Sequence, residues 1–215
     1  MIGDERIAAY IESLEGNKTG ILNIIEEQAL KDKVPIIKKP TQSLLRFLIH
    51  LNEPKNILEI GTAVGFSSIL MSEYMSLDCR ITTIEKMPQR IKKAKENIKF
   101  AGKEKEITLL EGDAGEILKE LKTNSYDFIF MDGAKGQYIN YLEDIMRLLS
   151  QGGILISDNV LQDGDIVQSR YGVTRRNRTI HTRMREYLYH LTHMEELDTI
   201  ILPVGDGVTL STRVK

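Results

Sequence analysis

The sequence predicts an α/β fold: a Rossmann-like, seven-stranded, mostly parallel sheet with helices on both faces and an antiparallel C-terminal hairpin. Three observations predict it. Between residues 55 and 159, short apolar runs alternate with amphipathic ones, as strand–helix repeats of a parallel sheet require. The last two apolar runs, 198–204 and 207–214, are joined only by Gly205 and Asp206, which permits a hairpin and no crossover. The 215 residues are 41% hydrophobic and 28% charged, with no Pro/Gly/Ser-rich linker and no internal repeat, which suits one domain. That domain, 1–215, divides into an N-terminal helical extension (1–52) and an α/β core (53–215).

The elements follow in order. ERIAAYIESLE puts Ile7, Tyr10, Ile11 and Leu14 on one helical face. ILNIIEEQALKDK gives a second helix. TQSLLRFLIHL gives a third, with Thr41 as the expected cap near its start. Pro54 then separates the extension from the core. KNILEI (55–60) is a strand and FSSILMSEYM a helix; CRITTIE (79–85) is a strand and PQRIKKAKENIKFAG a helix between Pro88 and Gly102. EITLLEG (106–112), YDFIFMD (126–132) and GILISDN (153–159) are strands. AGEILKELK and YINYLEDIMRLLS are the helices between them, the latter closed by QGG.

Composition narrows the function classes. A formal charge of −2 gives no general preference for nucleic acid, so a local basic patch has to carry such a case. The single cysteine, Cys79, excludes an intramolecular disulfide and fits a reducing compartment; at a strand start it reads as a small buried hydrophobe. MIGDERIAAY has no signal-peptide pattern and no apolar run reaches membrane-spanning length, so a soluble, cytoplasmic protein with no membrane partner is expected.

Ligands of open parallel sheets bind beyond the carboxyl ends of the strands, so chemistry is expected in each strand's last residues. The first strand runs into EIGTAVGFSS, with Glu59, Gly61 and Gly65. Glycines there let the backbone pass close to a ligand or pack strand against helix. The spacing is G-x-x-x-G with Ala63 between, unlike the G-x-G-x-x-G of a pyrophosphate cradle, which counts against a NAD-binding domain. The second strand ends in Glu85, placed to accept ribose hydroxyls. The third ends in GDA, where Asp113 and Ala114 meet an adenine edge.

Together, E-x-G-x-x-x-G, Glu85, GDA and the terminal hairpin resemble the class I S-adenosylmethionine-dependent methyltransferases, from about residue 35 to the end. The resemblance implies that Glu59 and Gly61 line the methionine side and that Ser67 contacts its carboxylate. It gives Glu85 the ribose and Asp113–Ala114 the adenine, with Gly65 and Asp132 in the same cofactor site.

The fourth strand ends in Asp132 and the fifth in Asp158-Asn159, which neighbouring parallel strands bring to one edge. Asp and Asn are also ordinary turn formers. Two clustered carboxylates without a cation, however, push one pKa upward, and a magnesium ion held by these hard oxygens removes that conflict. His50, His181, His190 and His193 are scattered and read as surface or packing residues. Lys135, read alone, is a solvated loop lysine; beside a cation it becomes a general base. DGAKGQY and SDN resemble the metal-dependent catechol-type O-methyltransferases. That resemblance makes Asp132, Asp158 and Asn159 ligands of Mg2+ or another divalent cation, and Lys135 the base that deprotonates one of two vicinal substrate oxygens. It also implies a homodimer through the N-terminal helices.

For the acceptor, SRYGVTRRNRTIHTRMRE carries Arg170, Arg175, Arg176, Arg178, Arg183 and Arg185 with no acid from Arg170 to Arg185. A charge run is usually a solvated helix face. Following SDNVL, this one is expected to border the site and contact phosphates. VPIIKKP, DGAKGQY, SDNVL and PVGDGV resemble the bacterial tRNA 5-hydroxyuridine methyltransferases. The expected substrate is then 5-hydroxyuridine at the tRNA wobble position, reached in the anticodon loop and converted to 5-methoxyuridine, with Arg170, Arg175, Arg176 and Arg178 on the tRNA. Lys38 and Lys39 either add phosphate contacts or stay at the surface. The alternative is a small catechol or caffeoyl-type acceptor; aromatic content of 6% and the lack of tryptophan weigh against a small-catechol slot.

Overall fold

The protein's structure, a computed structural model, describes residues 5–14 and 20–215. Residues 1–4 and Glu15, the last residue of the first predicted helix, lie outside that range. Seven strands form one sheet: β1 (Asn56–Ile60), β2 (Arg80–Glu85), β3 (Ile107–Glu111), β4 (Tyr126–Met131), β5 (Leu149–Ser157), β6 (Leu197–Leu202) and β7 (Val208–Arg213). Their order is β3-β2-β1-β4-β5-β7-β6. β1 to β5 run parallel, whereas β7 is antiparallel to both β5 and β6. The predicted fold class is therefore the observed one.

The strand sequences explain the two-sided packing. Adjacent residues point to opposite faces, and in β4 and β5 both sets are largely apolar, as a sheet covered on both sides demands. Ile57, Phe128, Phe130 and Ile156 pack on one face against α2 (Gly20–Lys31), α3 (Lys39–Asn52), α4 (Phe66–Tyr74) and α5 (Pro88–Phe100), through Leu22, Leu45, Phe66 and Ile98. Leu58, Ile129, Met131 and Leu155 pack on the other against α6 (Ala114–Glu120), α7 (Tyr138–Leu148) and α8 (Arg178–His193), through Leu118, Ile145, Met184 and Tyr187.

Several local expectations change. Thr41 does not cap α3: Lys38 occupies that position in extended conformation, and Thr41 is fully buried in the first turn. Pro40, with no N–H to satisfy, sits in the first turn of the helix, which has no side-chain cap. QGG does not end a helix but lies inside β5, where the pairing with β4 shifts register and Gly152 takes φ +75°. The β6–β7 connection spans 203–207 rather than two residues, because Pro203 cannot donate to the ladder. The apolar face of α1 (Glu5–Leu14) is exposed, with Ile7, Tyr10, Ile11 and Leu14 at 51–67%. Cys79 is buried just before β2, and burial pushes its thiol up to about 11, as an inert packing residue requires. Among the described residues, no helix is long and apolar enough to cross a membrane.

Candidate active site

β1 and β4 are neighbours although β2 and β4 leave β1 in opposite directions, so the crevice beyond their carboxyl ends is the expected ligand site. A cavity of about 500 Å3 opens there. Gly61 makes it possible. At φ +104°, a Cβ on this residue would lie 2.5 Å from the Asp132 carbonyl oxygen, so the two loops approach this closely only with glycine. Ala63 adopts a left-handed φ of +46° and donates its N–H to Glu85 Oε2 at 3.0 Å. Glu85 Oε1 accepts from the N–H groups of Lys86 and Met87, both at 3.0 Å. Three backbone donors thus fix this carboxylate on the cavity wall, where its remaining lone pairs suit a diol.

The other predicted cofactor residues take different places. Glu59 is fully buried, its carboxylate accepting from the hydroxyls of Ser67, Ser68 and Thr83. Burial pushes its carboxyl upward and the three hydroxyls oppose that. It braces the glycine loop from behind rather than lining the main cavity. Ser67 borders a small adjoining void with Gly61, Ala63 and Asp132. Gly65 precedes α4 at φ +82°. Asp113 caps α6, accepting from the Gly115 N–H at 2.9 Å, and this bond holds its carboxyl below the usual range. Ala114 and Gly112 reach the cavity wall.

Across the cavity, Asp132, Lys135, Asp158 and Asn159 line one wall. Backbone bonds set the strand ends: Asp132 N–H donates to Ile60 O and Asp158 N–H to Met131 O, each at 2.9 Å. The buried Tyr138 hydroxyl reaches Met131 O at 2.9 Å and Asp158 O at 3.3 Å, stapling β4 to β5 just beneath the wall. Burial, then the nearby Asp158 charge, pushes the Asp132 carboxyl well above the carboxylate range, while Lys135 pulls the other way. Burial likewise raises Asp158 to about 6, against the Asn159 N–H that its Oδ1 accepts at 2.8 Å. Among the described residues no three His, Cys, Asp or Glu side chains gather, so a third protein donor would be the Asn159 amide oxygen. Two carboxylates that resist charging, plus an amide, fit a hard divalent cation.

Lys135 opens a 3-10 turn, Lys135–Gln137, whose Gly136 carbonyl accepts from Arg183 Nη1 at 3.0 Å. Arg183 therefore holds the lysine loop. Arg170, Arg175 and Arg176 are exposed and have no acidic partner among the described residues; Arg178 lies 5.5 Å over the exposed Tyr171 ring. None of the arginines from Arg170 to Arg185 lines the cavity itself. Lys38 pairs with Asp206, and Lys39 lies 3.8 Å from Glu12. Asp206, Arg90, Tyr141 and residues 35–37, which sequence reasoning did not assign to the site, lie on the cavity wall, and so does Lys38. Residues 35–38 and Asp206 stand in VPIIKKP and PVGDGV, but the sequence alone gives Lys38 a phosphate contact or a surface place and Asp206 only a place in the hairpin connection.

The sequence profile of the O-methyltransferase family matches residues 13–214. The chain belongs to that family. A catechol O-methyltransferase of Niastella koreensis is 32% identical over 168 residues, covering 76% of each chain. A caffeoyl-CoA O-methyltransferase of Stellaria longipes is 31% identical over 179 residues, covering 80% of this chain and 73% of that one. Among solved structures, the S-adenosylhomocysteine-bound methyltransferase of Podospora anserina superposes with a TM-score of 0.87 at 27% identity, covering 97% of this O-methyltransferase and 94% of its own chain.

Proposed function

We propose that this O-methyltransferase transfers the methyl group of S-adenosylmethionine to one of two neighbouring oxygens on its acceptor, assisted by a divalent cation. One observation carries the reading: a buried carboxylate, a half-buried one, an amide and a lysine share a cavity with a glycine loop and a backbone-held glutamate. Glu85 would hold the donor's ribose, Gly112 and Ala114 the adenine edge, and Gly61 with Ser67 the methionine end. Asp132, Asp158 and Asn159 would hold the cation, magnesium being the expected one. Such a cation supplies Lewis acidity and a template for vicinal oxygens. Lys135 accepts the acceptor's proton at Nζ, and the wall between β1 and β4 aligns acceptor oxygen with methyl carbon. The named relatives support a small catechol or caffeoyl-type acceptor.

A second acceptor is favoured by the exposed Arg170, Arg175 and Arg176, on the stretch leading into α8, the helix whose Arg183 holds the lysine loop. They suit an anionic substrate, and 5-hydroxyuridine in a tRNA anticodon loop joins phosphates to a vicinal oxygen pair. This reading includes a cytoplasmic location. With either acceptor, a second copy of the chain is taken to cover the apolar face of α1. Nucleoside mass spectrometry on hypomodified tRNA, beside a panel of catechols and caffeoyl thioesters, decides between the acceptors. Methylated catechol with unmodified tRNA supports the first, 5-methoxyuridine the second. Full turnover in chelator would remove the cation from the mechanism.

A further inference from the structure

We infer that Asp206, in the β6–β7 turn, is a positioning residue that fixes which way the Asn159 amide faces, and that Lys38 anchors it there. The inference rests on the reading of Asn159 as a cation ligand. Asn159 Nδ2 donates to Asp206 Oδ2 at 3.0 Å. A carboxylate oxygen only accepts, so the amide must turn its NH2 group to Asp206 and its Oδ1 away from it. An amide turned the other way would present N–H to a cation, which repels it. Asp206 thereby selects the ligating orientation.

Both carboxylate oxygens of Asp206 are engaged by neighbouring side chains in this arrangement, Oδ1 by Lys38 Nζ and Oδ2 by the amide. Its side chain is 14% exposed, whereas that of Lys38 is 53% exposed, so the lysine covers the pair from the solvent side. The turn that carries Asp206 is held rigidly. Val160 N–H donates to Gly207 O at 2.9 Å and Leu161 N–H to Asp206 O at 3.0 Å. A Cβ on Gly207 would lie 2.3 Å from Leu161 Cγ, so the turn and the loop after β5 are in direct contact. Asn159 sits in that loop at φ +58°, a conformation asparagine tolerates better than most residues. The helical extension, through Lys38, thus reaches a ligand at the centre of the sheet edge.

Partners that orient ligands typically change metal affinity by about 10- to 100-fold when removed. The test measures Mn2+ binding to the acceptor-free enzyme by electron paramagnetic resonance, with S-adenosylhomocysteine affinity as a check on the fold. Asp206→Ala should weaken Mn2+ at least about 10-fold while leaving S-adenosylhomocysteine binding intact, and saturating Mn2+ should restore turnover. Asp206→Asn keeps an acceptor oxygen and should lose less; Lys38→Met should fall between wild type and Asp206→Ala. Unchanged Mn2+ affinity in folded Asp206→Ala overturns the inference. Wild-type enzyme that binds no Mn2+, or binds it equally after Asp132→Ala, overturns the cation reading and this inference with it.

Discussion

At the scale of single residues, the site is defined by groups held in an unfavourable state. Asp158 titrates at about 6 in the fold, against about 3.9 for a free carboxyl, so the native state binds its proton more tightly than the unfolded chain. Its contribution to stability is therefore complete below about pH 4 and is lost as pH rises through about 6. Asp132 is displaced in the same direction. The lost stability is on the order of a few kcal/mol, and a divalent cation would offset it above that pH. Calorimetry should then show Mn2+ raising the melting temperature much more at pH 7.5 than at pH 5; an equal rise at both would contradict the assignment of these carboxylates. Lys135→Ala should lower kcat about 100-fold or more while S-adenosylhomocysteine and Mn2+ still bind, as expected for loss of a base. A loss confined to KM would instead make the lysine a binding residue.

At the scale of elements, the decisive contacts lie between strand ends. Gly61→Ala would drive a methyl group into the Asp132 carbonyl of the neighbouring loop, so a loss of about 2–4 kcal/mol is expected, together with weaker donor binding. Denaturant unfolding and calorimetric titration with S-adenosylhomocysteine read the two effects. Tyr138→Phe removes the hydroxyl that staples β4 to β5 and should cost about 1–2 kcal/mol. The strands and their order of function were legible because apolar runs end in Glu85, Asp132 and Asp158-Asn159, and strand ends of one sheet must share an edge. The length of the β6–β7 turn was not legible, since Pro203 and Val204 continue the apolar run while leaving the ladder. Nor was the role of Glu59: a carboxylate at a strand end looks the same in sequence whether it faces a ligand or three hydroxyls. Asp206 escaped for a related reason, as a turn aspartate shows its partner only once the turn is docked.

At the scale of the whole molecule, charge and exposed apolar surface lie outside the cavity. Replacing Arg170, Arg175 and Arg176 together with alanine should weaken methylation of tRNA and flatten its salt dependence, yet spare a free catechol. Equal loss on both acceptors would show that the arginines act through the fold. Ile11→Asp should reduce any dimer seen by light scattering, because it puts a charge on the exposed face of α1. The close approach of Gly61 to the Asp132 carbonyl has a wider consequence. Donor loop and cation wall meet along one backbone seam, where neither can be remodelled without the other. The stretch from Gln162 to Asn177 lies beyond that seam, after the residues docked on the β6–β7 turn. New acceptor preferences are thus expected to arise by exchanging that stretch while the reaction centre is left in place.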